Sequence, residues 1–147
     1  MNDHDLRLDM RSDPKLLASG RAMVRTYLER MQFQADKIQE VVLAVDEAFT
    51  NAMRHSYDGA EDETITLTVH SDEDTVYIDI SDTGKTAPTE KMKQKQNETD
   101  KNKITPGGLG VQIMYQACDE VEFNPREPSG NCVSLRIKRP QSGQKAG

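Results

Sequence analysis

The sequence predicts an α+β fold, a two-layer sandwich in which a mixed, mostly antiparallel sheet carries helices on one face. Three observations support this. Strand-like segments come in adjacent pairs instead of alternating singly with helices. Two helical segments follow one another directly after the first strand. Neither GxGxxG after an opening strand nor GxxxxGK[ST] occurs, so the sequence does not read as a Rossmann or P-loop sheet. At 147 residues the chain is long enough for one domain with a sizeable core and no need for metal or disulfide staples.

Taken in order, LRLDMR alternates Leu6, Leu8 and Met10 with Arg7, Asp9 and Arg11, the pattern of a half-buried strand. Asp13 can cap and Pro14 suits a first helical turn; Leu16, Leu17, Met23, Val24, Tyr27, Leu28 and Met31 then recur at helical spacing, with Gly20 as an interruption. A second helix is expected from about Asp36 to Tyr57, where Asp58-Gly59 signals a turn. TITLTVHS from Thr64 and TVYIDIS from Thr75 read as an antiparallel hairpin across Asp72-Glu73-Asp74. VQIMYQAC reads as a helix, EVEFN and CVSLRIK as the closing strands around Pro128-Ser129-Gly130, and the tail from Gln141 as disordered.

The stretch VVLAVDEAFTNAMRHSY, Val41 to Tyr57, is apolar along Val41, Val42, Val45, Phe49 and Met53. It also carries Glu47, Asn51 and His55 at successive four-residue steps, which stack side chains on one helical face. A core helix with a carboxylate, an amide and an imidazole in one row is either partly turned to solvent or facing a site. Downstream, the hairpin runs into Asp82-Thr83-Gly84, and the segment 85–106 then contains almost no apolar residue and has a net charge of +3. Such a segment cannot pack a core and is expected to be a mobile lid. Gly107-Gly108-Leu109-Gly110 follows, and a glycine-rich turn entering a helix offers backbone N–H groups and a positive dipole end suited to phosphate.

Composition narrows the function classes. A formal charge of −6 argues against general nucleic-acid or anionic-membrane binding. No run approaches a membrane span, the first residues are too polar for a signal peptide, and Cys118 and Cys132 lie in no metal-ligand spacing. A cytoplasmic protein with both thiols reduced is expected.

Together, E-x-x-x-N in a helix (Glu47, Asn51), D-x-G after a strand (Asp82, Gly84), a polar lid and a G-G-L-G helix start resemble the GHKL, or Bergerat-fold, ATPases. The wording LAVDEAFTNAMRHSY and GGLGVQIM is similar to the anti-sigma factor serine kinases, and the likeness runs from Leu6 to Ile137. The resemblance implies one ATP-binding kinase domain over 1–140, a lid at about 85–106 and a tail at 141–147. It implies that Asn51 coordinates Mg²⁺, that Glu47 acts as catalytic base, and that Asp82 accepts the adenine amino group with Gly84 beside the base. Gly107, Gly108, Leu109 and Gly110 would hold the nucleotide, and His55 is a candidate contact that also suits a structural hydrogen bond. Two departures stand out: Lys85 and Thr86 follow D-x-G where relatives often have a second glycine or small residue, and Gly130-Asn131-Cys132 replaces a Gly-Thr whose hydroxyl supports the adenine contact. That support is either made by another group or absent.

The resemblance therefore implies a Mg-ATP-dependent serine/threonine protein kinase and anti-sigma factor, phosphorylating a STAS-type anti-anti-sigma protein, sequestering a sigma factor and forming a homodimer. The alternative is a nucleotide-dependent protein-binding regulatory module without kinase activity. A histidine-kinase catalytic domain is the weaker third reading, because no preceding segment reads as a dimerising phosphoacceptor helix pair.

Overall fold

The structure, a computed structural model, describes residues 4–86 and 108–141. The expected lid from residue 87 onward, Gly107 and the tail beyond Gln141 lie outside the described residues.

Strand β1 (Leu6–Arg11) leads through a 3-10 turn (Pro14–Leu16) into helix α1 (Leu17–Arg30), and α2 (Ala35–Asn51) follows. Asp13 caps the turn by accepting a hydrogen bond from the Lys15 amide at 3.0 Å, as its position before Pro14 led us to expect. Helix α1 runs unbroken through Gly20. The glycine serves packing: a Cβ there would stand 2.6 Å from Cε2 of Phe49, a fully buried ring of α2. The two helices are further joined by Arg21 to Asp46 at 3.0 Å.

Strands β2 (Thr64–Ser71) and β3 (Thr75–Asp82) form the expected hairpin, tightened where Asp72 Oδ1 accepts the Asp74 and Thr75 amides, each at 2.8 Å. Helix α3 (Gly108–Ala117) then leads to β4 (Glu120–Pro125) and β5 (Asn131–Lys138). Lys37 of α2 donates to the Ala117 carbonyl at 2.7 Å, a cation at the carbonyl end of α3.

The sheet order is β1-β2-β3-β5-β4, and every pair among the described strands is antiparallel. The fold class is the expected one, but no parallel pair accompanies it. The crossover through α3 lays β4 one strand away from β3, and β5, returning from β4 as a hairpin partner, fills the gap antiparallel to both.

Register aligns the apolar residues in rows across the sheet. Leu8, Leu67, Ile80, Val133 and Phe123 form one, and Leu6, Val69, Ile78, Leu135 and Val121 the next. This face joins Leu28, Val41, Val45 and Phe49 of the helices in a single core. Alternate residues, among them Arg7, Thr66, Asp79, Ser81, Ser134 and Arg136, lie on the opposite, polar face, where only Thr68 is buried among the described residues. A third row on the core face, Met10, Ile65, Asp82 and Asn131, begins apolar and ends polar.

Both cysteines are free, as expected. Burial pushes the Cys118 thiol up to about 12, while Cys132 is half-buried on the polar face.

Two outcomes follow from this packing. Replacing Gly20 with Ala adds helix propensity of about 1 kcal/mol, but overpacking a rigid buried ring costs about 1–3 kcal/mol. Gly20→Ala should therefore lower the urea midpoint, by a net loss of about 1 kcal/mol. For the thiols, iodoacetamide at pH 8 should label Cys132 and spare Cys118 until the chain unfolds, read by mass spectrometry. Because the folded state keeps the Cys118 proton that the unfolded chain releases, stability should fall as pH rises from the ordinary thiol value of 9.0 toward about 12.

Candidate nucleotide site

The candidate site lies along the C-terminal half of α2 and the segment that continues it. After Asn51 the helix widens into a π-helical stretch, Ala52–Ser56, with the Tyr57 amide donating to the Ala52 carbonyl at 3.1 Å. The turn now closes five residues back instead of four, a local rewinding frequent at functional sites. Glu47 and Asn51 keep the α-helical step and are both half-buried. His55, the expected third member of the row, is exposed, and Ser56 turns inward in its place, 7% exposed.

Ser56 meets Asp82. Its hydroxyl donates to Asp82 Oδ2 at 2.8 Å, and the Gly84 amide donates to Oδ1 at 3.0 Å. Asp82 is 4% exposed and occupies a core-face position of β3, so these donors replace the water it has lost. Asn131, its partner in β5, adds a third: Nδ2 lies 2.9 Å from Ser56 Oγ, 2.7 Å from the Lys85 carbonyl and 3.3 Å from Asp82 Oδ1. The group at the position of the relatives' hydroxyl is an amide, and it reaches the carboxylate both directly and through Ser56.

The same segment is fastened from two sides. The Lys85 amide donates to the Ser56 carbonyl at 2.8 Å, and the Tyr57 hydroxyl accepts the Thr83 amide at 2.8 Å. From the β4–β5 turn, Arg126 donates to the Asp82 carbonyl at 3.1 Å, Ser129 to the Thr83 carbonyl at 3.1 Å, and the Gly130 amide to Thr86 Oγ1 at 3.0 Å. Gly84 permits this closeness, since a Cβ there would collide with the Ser56 carbonyl and lie 2.8 Å from Cδ1 of Tyr57. The close approach made possible at Gly84 is therefore to the backbone of the π-helical stretch.

At the other end, Gly110 in the first turn of α3 lies against the Glu47 carboxylate, whose Cδ would be 3.2 Å from an added Cβ. Leu109, beside it, is 48% exposed. Gly108 begins the helix, and Gly107 lies outside the described residues. The structure thus brings Glu47 to the glycine-rich helix start and Asp82 with Gly84 to the far end of the same helix, with Asn51 between them. At the α-helical rise, Glu47 and Asn51 are roughly 6 Å apart along the axis, and the π-helical stretch carries the helix on to Ser56.

Across residues 10–137 the chain matches the model of the histidine kinase-like ATPase domain. The chain belongs to this family. Among relatives of this ATPase, the serine-protein kinase RsbW of Listeria innocua serovar 6a is 30% identical over 125 residues, covering 82% of this chain and 80% of the relative. An anti-sigma F factor of Clostridium beijerinckii is 25% identical over 138 residues, covering 94% and 96%. Kinship of this extent supports ATP use and protein serine kinase activity for the histidine kinase-like ATPase described here. The same fold occurs in the crystal structure of the SiaB–SiaC complex from Pseudomonas aeruginosa, with a TM-score of 0.64 at 14% identity, covering 92% of this chain and 90% of that one. It recurs in the RsbU and RsbW domains of Rv1364c from Mycobacterium tuberculosis, with a TM-score of 0.63 at 16% identity over 92% of this chain and 33% of that one.

The sequence motifs include Glu47, Asn51, Asp82, Gly84 and the glycine turn, but not Ser56, Tyr57 or Arg126. Ser56 carries no signal at α-helical spacing, because it enters the site only through the π turn. Asn131 was visible as a departure from the expected wording, without a function.

The two close glycines should respond differently to one methyl group. Gly84→Ala collides with backbone and should cost about 2 kcal/mol in urea unfolding, through strain and a lost buried hydrogen bond. Gly110→Ala meets the end of a flexible side chain and should leave the unfolding midpoint within about 0.5 kcal/mol while displacing Glu47.

Proposed function

We propose that this chain is a Mg-ATP-dependent serine/threonine protein kinase and anti-sigma factor. It would phosphorylate a STAS-type anti-anti-sigma protein and otherwise sequester a sigma factor, as a cytoplasmic homodimer. The observation that carries the reading is the contact of Gly110 with the Glu47 carboxylate, because it sets a base beside the helix start suited to phosphate. The relatives named serine-protein kinase and anti-sigma F factor support the same reading.

In this reading Asp82 accepts the 6-amino group of adenine, and a guanine would present an acceptor there instead of a donor. Gly107, Gly108, Leu109 and Gly110 hold the phosphates, with backbone N–H groups at the helix start as donors. His55 contributes from the exposed edge of the π-helical stretch. Mg²⁺ keeps several water ligands and takes only one or two from protein besides the phosphates, so a single amide oxygen suffices. Asn51 offers that oxygen between the two ends of the site. Among the described residues no cluster of three or more His, Cys, Asp or Glu could hold a metal, and the fit therefore rests on Asn51. When bound, the ion would neutralise charge on the phosphates.

Glu47 would take the proton from the acceptor serine hydroxyl as the serine oxygen bonds to the γ-phosphorus and the bond to the ADP oxygen breaks. The products are a phosphoserine protein and ADP, with the proton on Glu47.

Incubation with Mg-ATP and a STAS protein encoded nearby, followed by detection of phosphate on the partner, tests the proposal. Glu47→Ala should keep nucleotide affinity and slow transfer by about 10²- to 10⁴-fold, the usual contribution of a general base. Asn51→Ala should instead weaken Mg²⁺-dependent nucleotide binding. Absence of transfer by a wild-type protein that binds ATP, with every STAS partner tried, would overturn the kinase assignment and leave the nucleotide-dependent binding module.

A further inference from the structure

We infer that Asn131 is a positioning residue for base selectivity: through Ser56 it fixes the proton on the Asp82 side, so that one carboxylate oxygen is left to accept the amino group of a 6-aminopurine. The inference rests on the reading of Asp82 as the base contact.

Three acceptors surround one atom of the Asn131 head group, the Lys85 carbonyl at 2.7 Å, Ser56 Oγ at 2.9 Å and Asp82 Oδ1 at 3.3 Å, so that atom is the nitrogen. Its two hydrogens point to the two nearer acceptors, one of them shared with the more distant Asp82 Oδ1. Ser56 Oγ, accepting from Asn131, then has its single proton directed to Asp82 Oδ2 at 2.8 Å. On the carboxylate, Oδ1 takes the Gly84 amide at 3.0 Å and the longer Asn131 contact. Among the described residues Oδ2 accepts only the Ser56 hydroxyl, which leaves one lone pair.

That lone pair is selective because Asp82 is nearly buried. A ligand that brings an N–H completes the carboxylate's hydrogen bonds; one that brings a hydrogen atom on carbon leaves the lone pair unsatisfied, and a 6-oxo group sets acceptor against acceptor. Sites built to hydrogen-bond a ligand discriminate strongly against analogues lacking the donor. A hydroxyl at position 131 has one proton and could not serve Ser56 and the Lys85 carbonyl together. The amide does both, tying the base seat to the segment after Gly84.

The full-length chain titrated calorimetrically in Mg²⁺ with ATP and with purine riboside triphosphate, which lacks the 6-amino group, tests this. Wild type should bind ATP at least about tenfold more tightly, the worth of one hydrogen bond to a charged group. Asn131→Ala should lose most of that preference by weakening ATP about tenfold while purine riboside triphosphate stays within about twofold. Ser56→Ala, which removes the middle of the relay, should show the same selective loss, and it carries the test if Asn131→Ala does not fold. Equal weakening of both nucleotides, or no change in either, would overturn the role given to Asn131. A wild-type protein without preference for ATP over the analogue would instead overturn Asp82 as the base contact, and a preference that survives in both variants would overturn the relay alone.

Discussion

A carboxylate on the core face of the sheet is the constraint around which the candidate site is arranged. Asp82 follows Met10 and Ile65 in one row across the sheet, and it is almost inaccessible to water. A charge in that position is tolerated only when donors converge on it, because desolvating an unpaired carboxylate costs several kcal/mol or more. The donors come from three parts of the chain: Ser56 from the end of the second helix, Gly84 from its own strand's exit, and Asn131 from the last strand. Meeting the needs of one side chain thus draws together elements distant in sequence.

The rewinding of the helix after Asn51 is the local counterpart of that demand. An α-helical continuation would keep His55 in line with Glu47 and Asn51; the π turn instead buries Ser56 beside Asp82 and leaves His55 on the surface. One helix therefore offers two different edges. Its α-helical part presents Glu47 to the first turn of α3, and its π-helical part presents Ser56 and Tyr57 to the strand end. The site is formed between these edges, with the β4–β5 turn holding the backbone of residues 82–86 from the opposite side.

Much of this was legible in the sequence because the patterns are local. Period-two alternation marked β1, and β2 begins and ends at the residues of the TITLTVHS run. Asp13-Pro14 placed the start of the helical region, and the motifs around Glu47, Asp82 and Gly110 pointed to residues that the fold does bring along one helix. Gly20 was misread as an interruption since a glycine in a helix lowers propensity by about 1 kcal/mol, whereas the Phe49 ring that requires it is 29 positions away in the chain. The all-antiparallel sheet was likewise hidden, because a crossover helix is compatible with either an adjacent parallel strand or a skipped position.

By itself, then, the sequence determined the α+β class, the strand and helix segments, and the residue types for a nucleotide site, all of which depend on spacing along one chain segment. Only the tertiary structure decided that Ser56 and not His55 meets Asp82, that the Asn131 amide reaches Ser56 and Asp82, and that Gly84 and Gly110 make room for Ser56 and Glu47 respectively. The physical reason is that these contacts join residues 26 to 75 positions apart, and their geometry depends on a π turn and a strand register. Neither is encoded by a local period; both are set by packing and by the hydrogen bonds a buried carboxylate must make.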